Sequence, residues 1–158
     1  MKQKAIQIQL KEYDRLDELT KPQVDLVKQA IEAARKAYAP YSGYCVGAAV
    51  QLANGETVTG NNQENAAYPS GLCAERVAIF FAGSQYPDTA VTSMAIAAIK
   101  EGVIQEEPVS PCGGCRQVLC EKEAHGGSPI EMILYGTHRI QVLHQAVDLL
   151  PLPFIFRK

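Results

Sequence analysis

The sequence predicts an α/β domain in which helices cover both faces of one mixed sheet. Residues 44–59 place the turn pair Asn54-Gly55 between two apolar stretches, and this pattern indicates an antiparallel hairpin. Strand-like and helix-like segments alternate after the hairpin. One of them, MAIAAI at 94–99, carries no charge, as expected of a strand that is covered on both faces. We therefore expect a three-layer α/β/α architecture.

The length and the charge balance are those of one globular domain. The chain has 158 residues, of which 20% are charged and 47% hydrophobic, and its formal net charge is -2. A fold of this size buries roughly 70% of the surface of its extended chain. No polybasic stretch indicates nucleic-acid binding, and no apolar run approaches the ~20 residues that cross a bilayer. The first residues also lack the apolar core of a secretory signal, so we predict a cytoplasmic protein without nucleic-acid or membrane partners.

The first twenty residues are predicted to precede the main domain. Apolar and polar side chains alternate over 5–10, which indicates an edge strand or an extended arm. We therefore divide the chain into an N-terminal extension, 1–20, and a domain, 21–158.

A first helix is expected directly after the extension. Thr20 and Gln23 have the spacing of a capping box, and Pro22 is tolerated in the first turn. Apolar side chains then recur at three- and four-residue steps to about Tyr38. Pro40 should end the helix.

Two further helices and five strands complete the predicted fold. One helix should begin at Cys73 and end near Gly83. The other has Ser110 as its expected N-cap, Pro111 at its first position, and an end at the pair Gly126-Gly127. The predicted strands are 44–53, 56–59, 94–99, 130–135 and 139–143, with a short helix within 144–150.

The beginnings of these two helices carry three thiols. Cys112 and Cys115 are three residues apart, so on a helix their sulfurs lie on the same side and can share one tetrahedral ion. A C-x-x-C motif alone is equally typical of a redox site. The upstream sequence Cys73-Ala74-Glu75 favours the metal, because C-x-E followed by P-C-x-x-C matches the three-cysteine signature of zinc-dependent deaminases.

The expected charge of this centre needs compensation. Three thiolates and one Zn²⁺ give a net charge of about -1, which weakens the ion as a Lewis acid. Two helix N-termini, each with roughly half a positive charge, stabilise thiolates. Arg76 can also donate hydrogen bonds to the ligand sulfurs, although a surface position is its alternative.

Three ligands leave one tetrahedral position for water, whose pKa on a catalytic zinc falls toward ~7. Glu75 is then the candidate acid and base, which takes a proton from water and passes it to a ring nitrogen and to the departing amine. Its alternative is a glutamate that only complements the helix dipole.

The other cysteines and the histidines have no such pattern. We expect Cys120 to be a packed core thiol, and Cys45 to be either a buried thiol or a pocket wall. The histidines lie outside both thiol helices, so no ligand role is expected for His125, His138 or His144.

Three stretches resemble the signature segments of the small, homotetrameric cytidine deaminases: YSGYCVGAAV, GNNQENAAYPSGLCAERVA and SPCGGCRQVL. Their order and spacing match that family from about residue 24 to residue 154. The resemblance implies a three-layer α/β/α sandwich around a five-stranded mixed sheet, with one zinc ion per subunit. It also implies hydrolytic deamination of cytidine and 2′-deoxycytidine to the uridines with release of ammonia, a reaction of pyrimidine salvage.

The same resemblance implies roles for individual residues. Cys73, Cys112 and Cys115 fall on the zinc ligands of the family, and Glu75 falls on its proton shuttle. The substrate-binding positions match Asn62, Glu64, Tyr44, Ala74 and Phe154.

Among these, Asn62 and Glu64 fall where the family holds the ribose 3′-hydroxyl, which an amide and a carboxylate can satisfy. Without the resemblance, both would be read as part of a solvated polar loop. Tyr44 matches an aromatic residue near the base. Phe154 matches one that reaches the active site of a neighbouring subunit, so the homotetramer would complete each site across an interface.

Three differences from the family leave the substrate and the assembly open. Cys45 replaces a common proline, residues 69–72 form an unusual approach to Cys73, and about twenty residues precede the usual start. A deaminase of another aminopyrimidine nucleoside, such as a blasticidin-type antibiotic, is therefore the alternative enzyme. Nucleic-acid editing is less favoured, because the first ligand is cysteine and no basic stripe is present. A non-catalytic zinc module would need a fourth protein ligand.

Overall fold

A seven-stranded mixed sheet forms the centre of the computed structural model, which describes residues 1–156. Residues 157 and 158, the end of the predicted domain, lie outside the described part. The strands are β1 (Leu10–Tyr13), β2 (Tyr44–Leu52), β3 (Thr57–Asn61), β4 (Val91–Lys100), β5 (Val103–Ile104), β6 (Glu131–Tyr135) and β7 (Ile140–Leu143). The helices are α1 (Lys21–Ala34), α2 (Ala74–Gln85) and α3 (Gly113–Gly126).

The strand order is β1-β7-β6-β4-β2-β3, and β5 pairs with β4. Strands β4 and β6 are parallel, because α3 carries the chain between them, and the other pairs are antiparallel. The predicted hairpin joins β2 and β3. Gly55 adopts φ 91° in its turn, and the backbone N–H of Leu52 donates to the Glu56 carbonyl at 2.9 Å.

The three-layer α/β/α prediction is confirmed. On one face of the sheet, α1 packs Val27 and Ala30 against a core that includes Ala95 and Ile133. On the other face, α2 and α3 pack against the larger core, whose members include Ala78, Leu119, Met94 and Leu134. Successive side chains of β2 and β4 point to opposite faces of the sheet and pack into both cores. This explains why β4 has no charged residue before its last one.

The sheet has seven strands, and the expected five-stranded sheet is therefore corrected. The five predicted strands correspond to β2, β3, β4, β6 and β7. The short β5 follows a reversal at Glu101 and Gly102, both at positive φ. The other addition, β1, comes from the N-terminal extension and pairs antiparallel with β7. An edge strand is therefore present, but it begins at Leu10, where the alternation over 5–10 ends, and residues 5–9 form no strand. The division of the chain at residue 20 stays a prediction.

The helix ends also differ from the expectation. The capping box of Thr20 and Gln23 starts α1 as predicted, but α1 ends at Ala34 instead of about Tyr38. The reason is that the Tyr38 backbone N–H donates to the Asn62 carbonyl, which draws this segment away from the helix. Gly83 lies inside α2, which continues to Gln85.

Within residues 1–156, no helix is both long and apolar enough to span a bilayer.

Two glycines let the helices approach the sheet closely. A Cβ atom on Gly47 would lie 2.0 Å from the Ala30 carbonyl oxygen of α1. A Cβ atom on Gly60 would lie 2.5 Å from the Ala78 backbone nitrogen of α2. The position of α2 relative to β3 therefore depends on the missing side chain at residue 60.

Candidate metal centre

Three thiols meet where α2 and α3 begin. Cys73 is the N-cap of α2, Cys112 is the N-cap of α3, and Cys115 lies in the first turn of α3. The Cys112 sulfur is 3.8 Å from that of Cys73 and 3.4 Å from that of Cys115, and all three lie within 4.8 Å of one another. Zn–S bonds of about 2.3 Å at tetrahedral angles place sulfurs about 3.8 Å apart. The cluster therefore fits a zinc ion held by three thiolates.

The start of α3 differs from the prediction. Ser110 was expected as the N-cap and Pro111 as the first helical residue, but the N-cap is Cys112, with φ -66° and ψ 164°. Cys112 thus stands before the helix and Cys115 inside its first turn. The two sulfurs still meet, because an N-cap side chain points toward the third helical residue.

The thiols favour a bound cation. Burial, followed by repulsion from Glu75, raises the pKa of Cys115 far above its ordinary value. Burial also raises the pKa of Cys73. Burial acts in the same direction on Cys112, but hydrogen bonds from the backbone and side chain of Cys115 outweigh it and lower the pKa of Cys112. Because three thiolates so close together repel one another, a divalent cation is needed to hold them ionised.

Glu75 lies beside the cluster as the second residue of α2. Its side chain is 5% exposed, which makes it the buried acidic residue of the described chain. Burial raises the pKa of its carboxyl group, while a hydrogen bond from the Cys115 thiol opposes this shift. A carboxyl group with a raised pKa can both accept and return a proton near neutral pH.

Arg76 faces the same cluster. Its Nη2 atom is 3.8 Å from the Cys73 sulfur and is oriented to donate to it. Its Nε atom is buried without a hydrogen-bond partner among residues 1–156. A buried, unpartnered donor beside a group of thiols is expected where negative charge has to be balanced.

A pocket of about 480 Å³ opens next to Cys73 and Arg76. This volume lies within the usual range for small-molecule sites. Tyr41 and Tyr68 form part of its wall, with ring centroids 6.0 Å apart in an edge-to-face arrangement. The other lining residues used below are Ser42, Asn62 and Glu64.

The side chains of Asn62 and Glu64 line the pocket and also fix the chain that enters β2. The Asn62 amide accepts from the Val46 N–H at 2.7 Å and donates to the Tyr44 carbonyl at 2.9 Å. The Glu64 carboxylate accepts from the Tyr41 N–H at 2.8 Å. The Ser42 backbone N–H donates to the same carboxylate oxygen of Glu64. The Ser42 hydroxyl donates to the other carboxylate oxygen.

Ser42 is a residue of this pocket that the sequence analysis missed. Its hydroxyl donates to Glu64 and accepts from the Tyr44 N–H at 3.0 Å. The hydroxyl of Ser42, followed by the backbone of Tyr41, lowers the pKa of the Glu64 carboxyl group. The available signal was the serine two residues before an expected strand, which is a common capping position in turns.

Other predicted site residues lie elsewhere in this single chain. Tyr44 lines a different pocket, of about 470 Å³, together with residues 103–109. Ala74 is fully buried between Cys73 and Glu75. Phe154 is 72% exposed and is not among the residues that line the pocket beside Cys73.

The other two cysteines lie outside the three-thiol cluster. Cys120 is buried and Cys45 is partly buried, and all five cysteines are free thiols. Among the described residues, no histidine and no fourth side chain joins the three-thiol cluster. The observation that would have favoured a closed, non-catalytic zinc site is therefore lacking in residues 1–156.

Known proteins are similar to this chain in sequence and in fold. Residues 20–125 match the family model of the cytidine and deoxycytidylate deaminase zinc-binding region. A cytidine deaminase of Halalkalibacterium halodurans is 44% identical over 96 residues, which cover 61% of this chain and 68% of that protein. One of Sporosarcina psychrophila is 41% identical over 105 residues, covering 66% and 72%.

A crystal structure of cytidine deaminase from Burkholderia pseudomallei superposes with a TM-score of 0.70 at 35% identity. The match covers 86% of this chain and 100% of that one. The matched region of the family model contains all three thiols and the buried glutamate. The chain therefore belongs to the cytidine and deoxycytidylate deaminase family, and its cofactor is zinc.

Proposed function

We propose that this enzyme hydrolyses the exocyclic amino group of cytidine and 2′-deoxycytidine, giving the uridines and ammonia. The observation that carries the proposal is the cluster of three thiols with the buried carboxyl group of Glu75 beside it. Three protein ligands suit a catalytic zinc, which keeps one coordination position for a non-protein ligand. The names of the relatives support cytidine as the substrate.

Cys73, Cys112 and Cys115 would hold the zinc ion. When bound, zinc supplies a Lewis acid that lowers the pKa of water enough to make a nucleophile near neutral pH. Glu75 would accept a proton from the attacking water, whose oxygen bonds to C4 of the cytosine ring, and deliver that proton to N3. The same carboxyl group would then move the remaining proton of this oxygen to the amino group, so that the C4–N bond breaks and ammonia leaves as the C4 carbonyl forms.

Burial suits Glu75 for these transfers. Because its ordinary pKa near 4.3 would leave it a weak base at neutral pH, the upward shift brings it closer to the working pH. Arg76 balances charge at the Cys73 sulfur, which keeps the thiolate from reducing the acidity of the metal.

Asn62 and Glu64 are proposed to bind the sugar. Each already has backbone partners, which hold its polar atoms in place before the substrate arrives. The Asn62 amide keeps one N–H, and the Glu64 carboxylate keeps lone pairs, so together they can donate to and accept from a ribose hydroxyl. The resemblance also assigns Ala74 and Tyr44 to substrate binding, but in this single chain Ala74 is fully buried and Tyr44 lines the pocket of residues 103–109.

Homotetramer formation is also proposed, with Phe154 completing the site of a neighbouring subunit. Large apolar side chains are exposed on α2, at Phe80 and Phe81, and near the C-terminus, at Phe154 and Phe156. Such exposure is typical of surfaces that bind another chain. Light scattering after size exclusion gives the mass directly, and a monomer that deaminates cytidine would contradict this part.

The five free thiols support a reducing compartment, so we infer the cytoplasm.

The test is an ultraviolet assay of substrate loss with the purified protein. The panel is cytidine, 2′-deoxycytidine, free cytosine and a blasticidin-type nucleoside, each with and without a zinc chelator. We expect turnover of the first two, loss of turnover with chelator, and recovery when zinc is restored. Turnover confined to the antibiotic would assign the alternative substrate, and unchanged turnover without zinc would refute the mechanism.

A further inference from the structure

The C-terminal segment is attached to α3 by side chains that directly follow the second thiol motif. The Arg116 guanidinium donates through Nε to the Pro111 carbonyl at 2.8 Å and through Nη1 to the Leu149 carbonyl at 2.9 Å. One residue later, the Gln117 amide makes two contacts with a single residue, Phe154. The helix that carries Cys115 thus also carries the attachment points of the last described segment.

The contact between Gln117 and Phe154 has a specific geometry. The Gln117 Nε2 donates to the Phe154 carbonyl at 2.7 Å, and the Phe154 N–H donates to the Gln117 Oε1 at 3.0 Å. A carboxamide that pairs with both backbone groups of one residue acts like a neighbouring β-strand. Because the N, Cα and C atoms determine the direction of the Cα–Cβ bond, the pair sets the direction in which the phenyl group leaves the backbone.

The segment around Phe154 has little else to order it. Its side chain is 72% exposed, and those of Leu152 and Phe156 are 86% and 74% exposed. Leu152 adopts φ 62°, a left-handed conformation that is uncommon for leucine. Such a backbone persists only where surrounding contacts hold it. Among residues 151–156, the hydrogen bonds that the structure shows are the two with Gln117.

We infer that Gln117 is a positioning residue, which orders the C-terminal segment so that the Phe154 side chain is presented to an active site. The inference rests on the proposed function, in that it needs Phe154 to contact substrate. It adds that Gln117, although it follows the zinc ligand Cys115 closely, acts on substrate binding through the C-terminal segment and not through the metal. Gln117 therefore affects KM, while kcat and zinc content stay as in the wild type.

The experiment compares Gln117→Ala and Gln117→Glu with the wild-type holoenzyme. Glutamate has nearly the same size and helix propensity, but it replaces the donor with an oxygen that faces the Phe154 carbonyl. Gln85→Ala is the matched control, because Gln85 is an exposed helix glutamine whose amide reaches only the Ser84 hydroxyl, at 3.5 Å. Cytidine kinetics, zinc content and hydrogen exchange of the C-terminal peptide are measured for each.

We expect both Gln117 variants to raise KM about tenfold, as two hydrogen bonds of ordinary net strength allow, without changing kcat or zinc content. The Phe154 amide should exchange faster in both variants and not in the Gln85 control. In the Phe154→Ala background, the Gln117 substitution should change KM less than twofold further, because the two residues act through one contact.

Three results would overturn the inference. These are wild-type KM and exchange in both Gln117 variants, a fall in kcat or zinc content in place of the KM effect, and effects of Gln117→Ala and Phe154→Ala that multiply. Failure of the proposed function is separate, since it appears as a wild-type enzyme without nucleoside turnover. In that case, the exchange measurement alone decides whether Gln117 orders the segment.

Discussion

Substitution of Gly60 by alanine tests whether the spacing between β3 and α2 positions Cys73 and Glu75, the proposed metal ligand and proton shuttle. The added Cβ would lie 2.5 Å from the Ala78 nitrogen and 2.6 Å from the Ala74 carbonyl oxygen. Ordinary contacts begin at 3.4 Å, so the helix has to move by about 0.9 Å. Both clashing groups are backbone atoms of the first turns of α2, which cannot rotate away. The displacement therefore falls on the turn that carries Cys73 and Glu75.

Two consequences of this displacement are expected. Overpacking costs about 1–3 kcal/mol, which lowers Tm by about 2–12 °C in a chain of this size. A misplacement of about 1 Å at a catalytic group can reduce kcat/KM about 100-fold. The assay is cytidine deamination together with thermal unfolding and zinc content of the purified variant.

Gly83→Ala is the matched control within the same helix. A Cβ at Gly83 meets nothing closer than the flexible end of Lys122, at 3.8 Å. Alanine is also the better helix former by about 1 kcal/mol, so this variant should keep its activity and gain slightly in Tm. Wild-type kcat/KM and Tm in Gly60→Ala would show that α2 can move without disturbing Glu75, and the reasoning would then be wrong.

Further predictions concern the acid-base group and its neighbours. Glu75→Gln should retain zinc and lose about 10²–10⁴ in kcat, whereas loss of zinc with retained activity would reverse the assignment. In the metal-free protein, the raised pKa of Glu75 means that the folded state binds this proton more tightly than the unfolded state does. The resulting contribution of Glu75 to stability is present below pH ~4.3 and is lost as pH rises through the folded pKa. Metal-free Glu75→Gln should thus have a higher Tm than wild type at pH 8, with the difference vanishing toward pH 4. Ser42→Ala removes the main cause of the lowered pKa of Glu64, so KM should begin to rise at a higher pH on the acid side, and identical KM profiles would contradict this. Arg76→Ala removes the donor to Cys73 and should lower turnover about 10–100-fold while fold and zinc content stay largely as in the wild type, and unchanged kinetics would contradict the role of Arg76.

The metal centre was predictable because its determinants are local in the sequence. A thiol at the N-cap and another three residues later are brought together by the first turn of any helix. The N-cap itself was misplaced by two residues, from Ser110 to Cys112, without affecting the ligand set. Only the meeting of Cys73 with the other two sulfurs needed the fold, and the sequence indicated it through the signature that the three share.

The pocket beside Cys73 was less predictable, because its contacts join segments that are distant in sequence. Glu64 is held by residues 22 and 23 positions earlier, and no spacing rule relates them. Phe154 was expected at an active site, yet its backbone partner, Gln117, lies 37 residues away on α3. Such contacts depend on the final packing of α3 and the C-terminal segment, which hydrophobic periodicity does not describe.

The N-terminal strand shows a third kind of limit on sequence-based expectation. The alternation over 5–10 allowed either a strand or an arm, because a single edge strand becomes ordered only if it finds a partner. Strand β7 supplies a partner only for residues 10–13, with Leu10 opposite Leu143 and Tyr13 opposite Ile140, so the strand lies after most of the alternating segment. Since β7 would otherwise be an unpaired edge of the sheet, the added strand both extends the sheet and covers its backbone groups. The five strands common to the prediction and the structure follow β1 in the order β7-β6-β4-β2-β3, so the extension enlarges the sheet at the edge opposite to β3 and leaves the close approach of Gly60 to α2 intact.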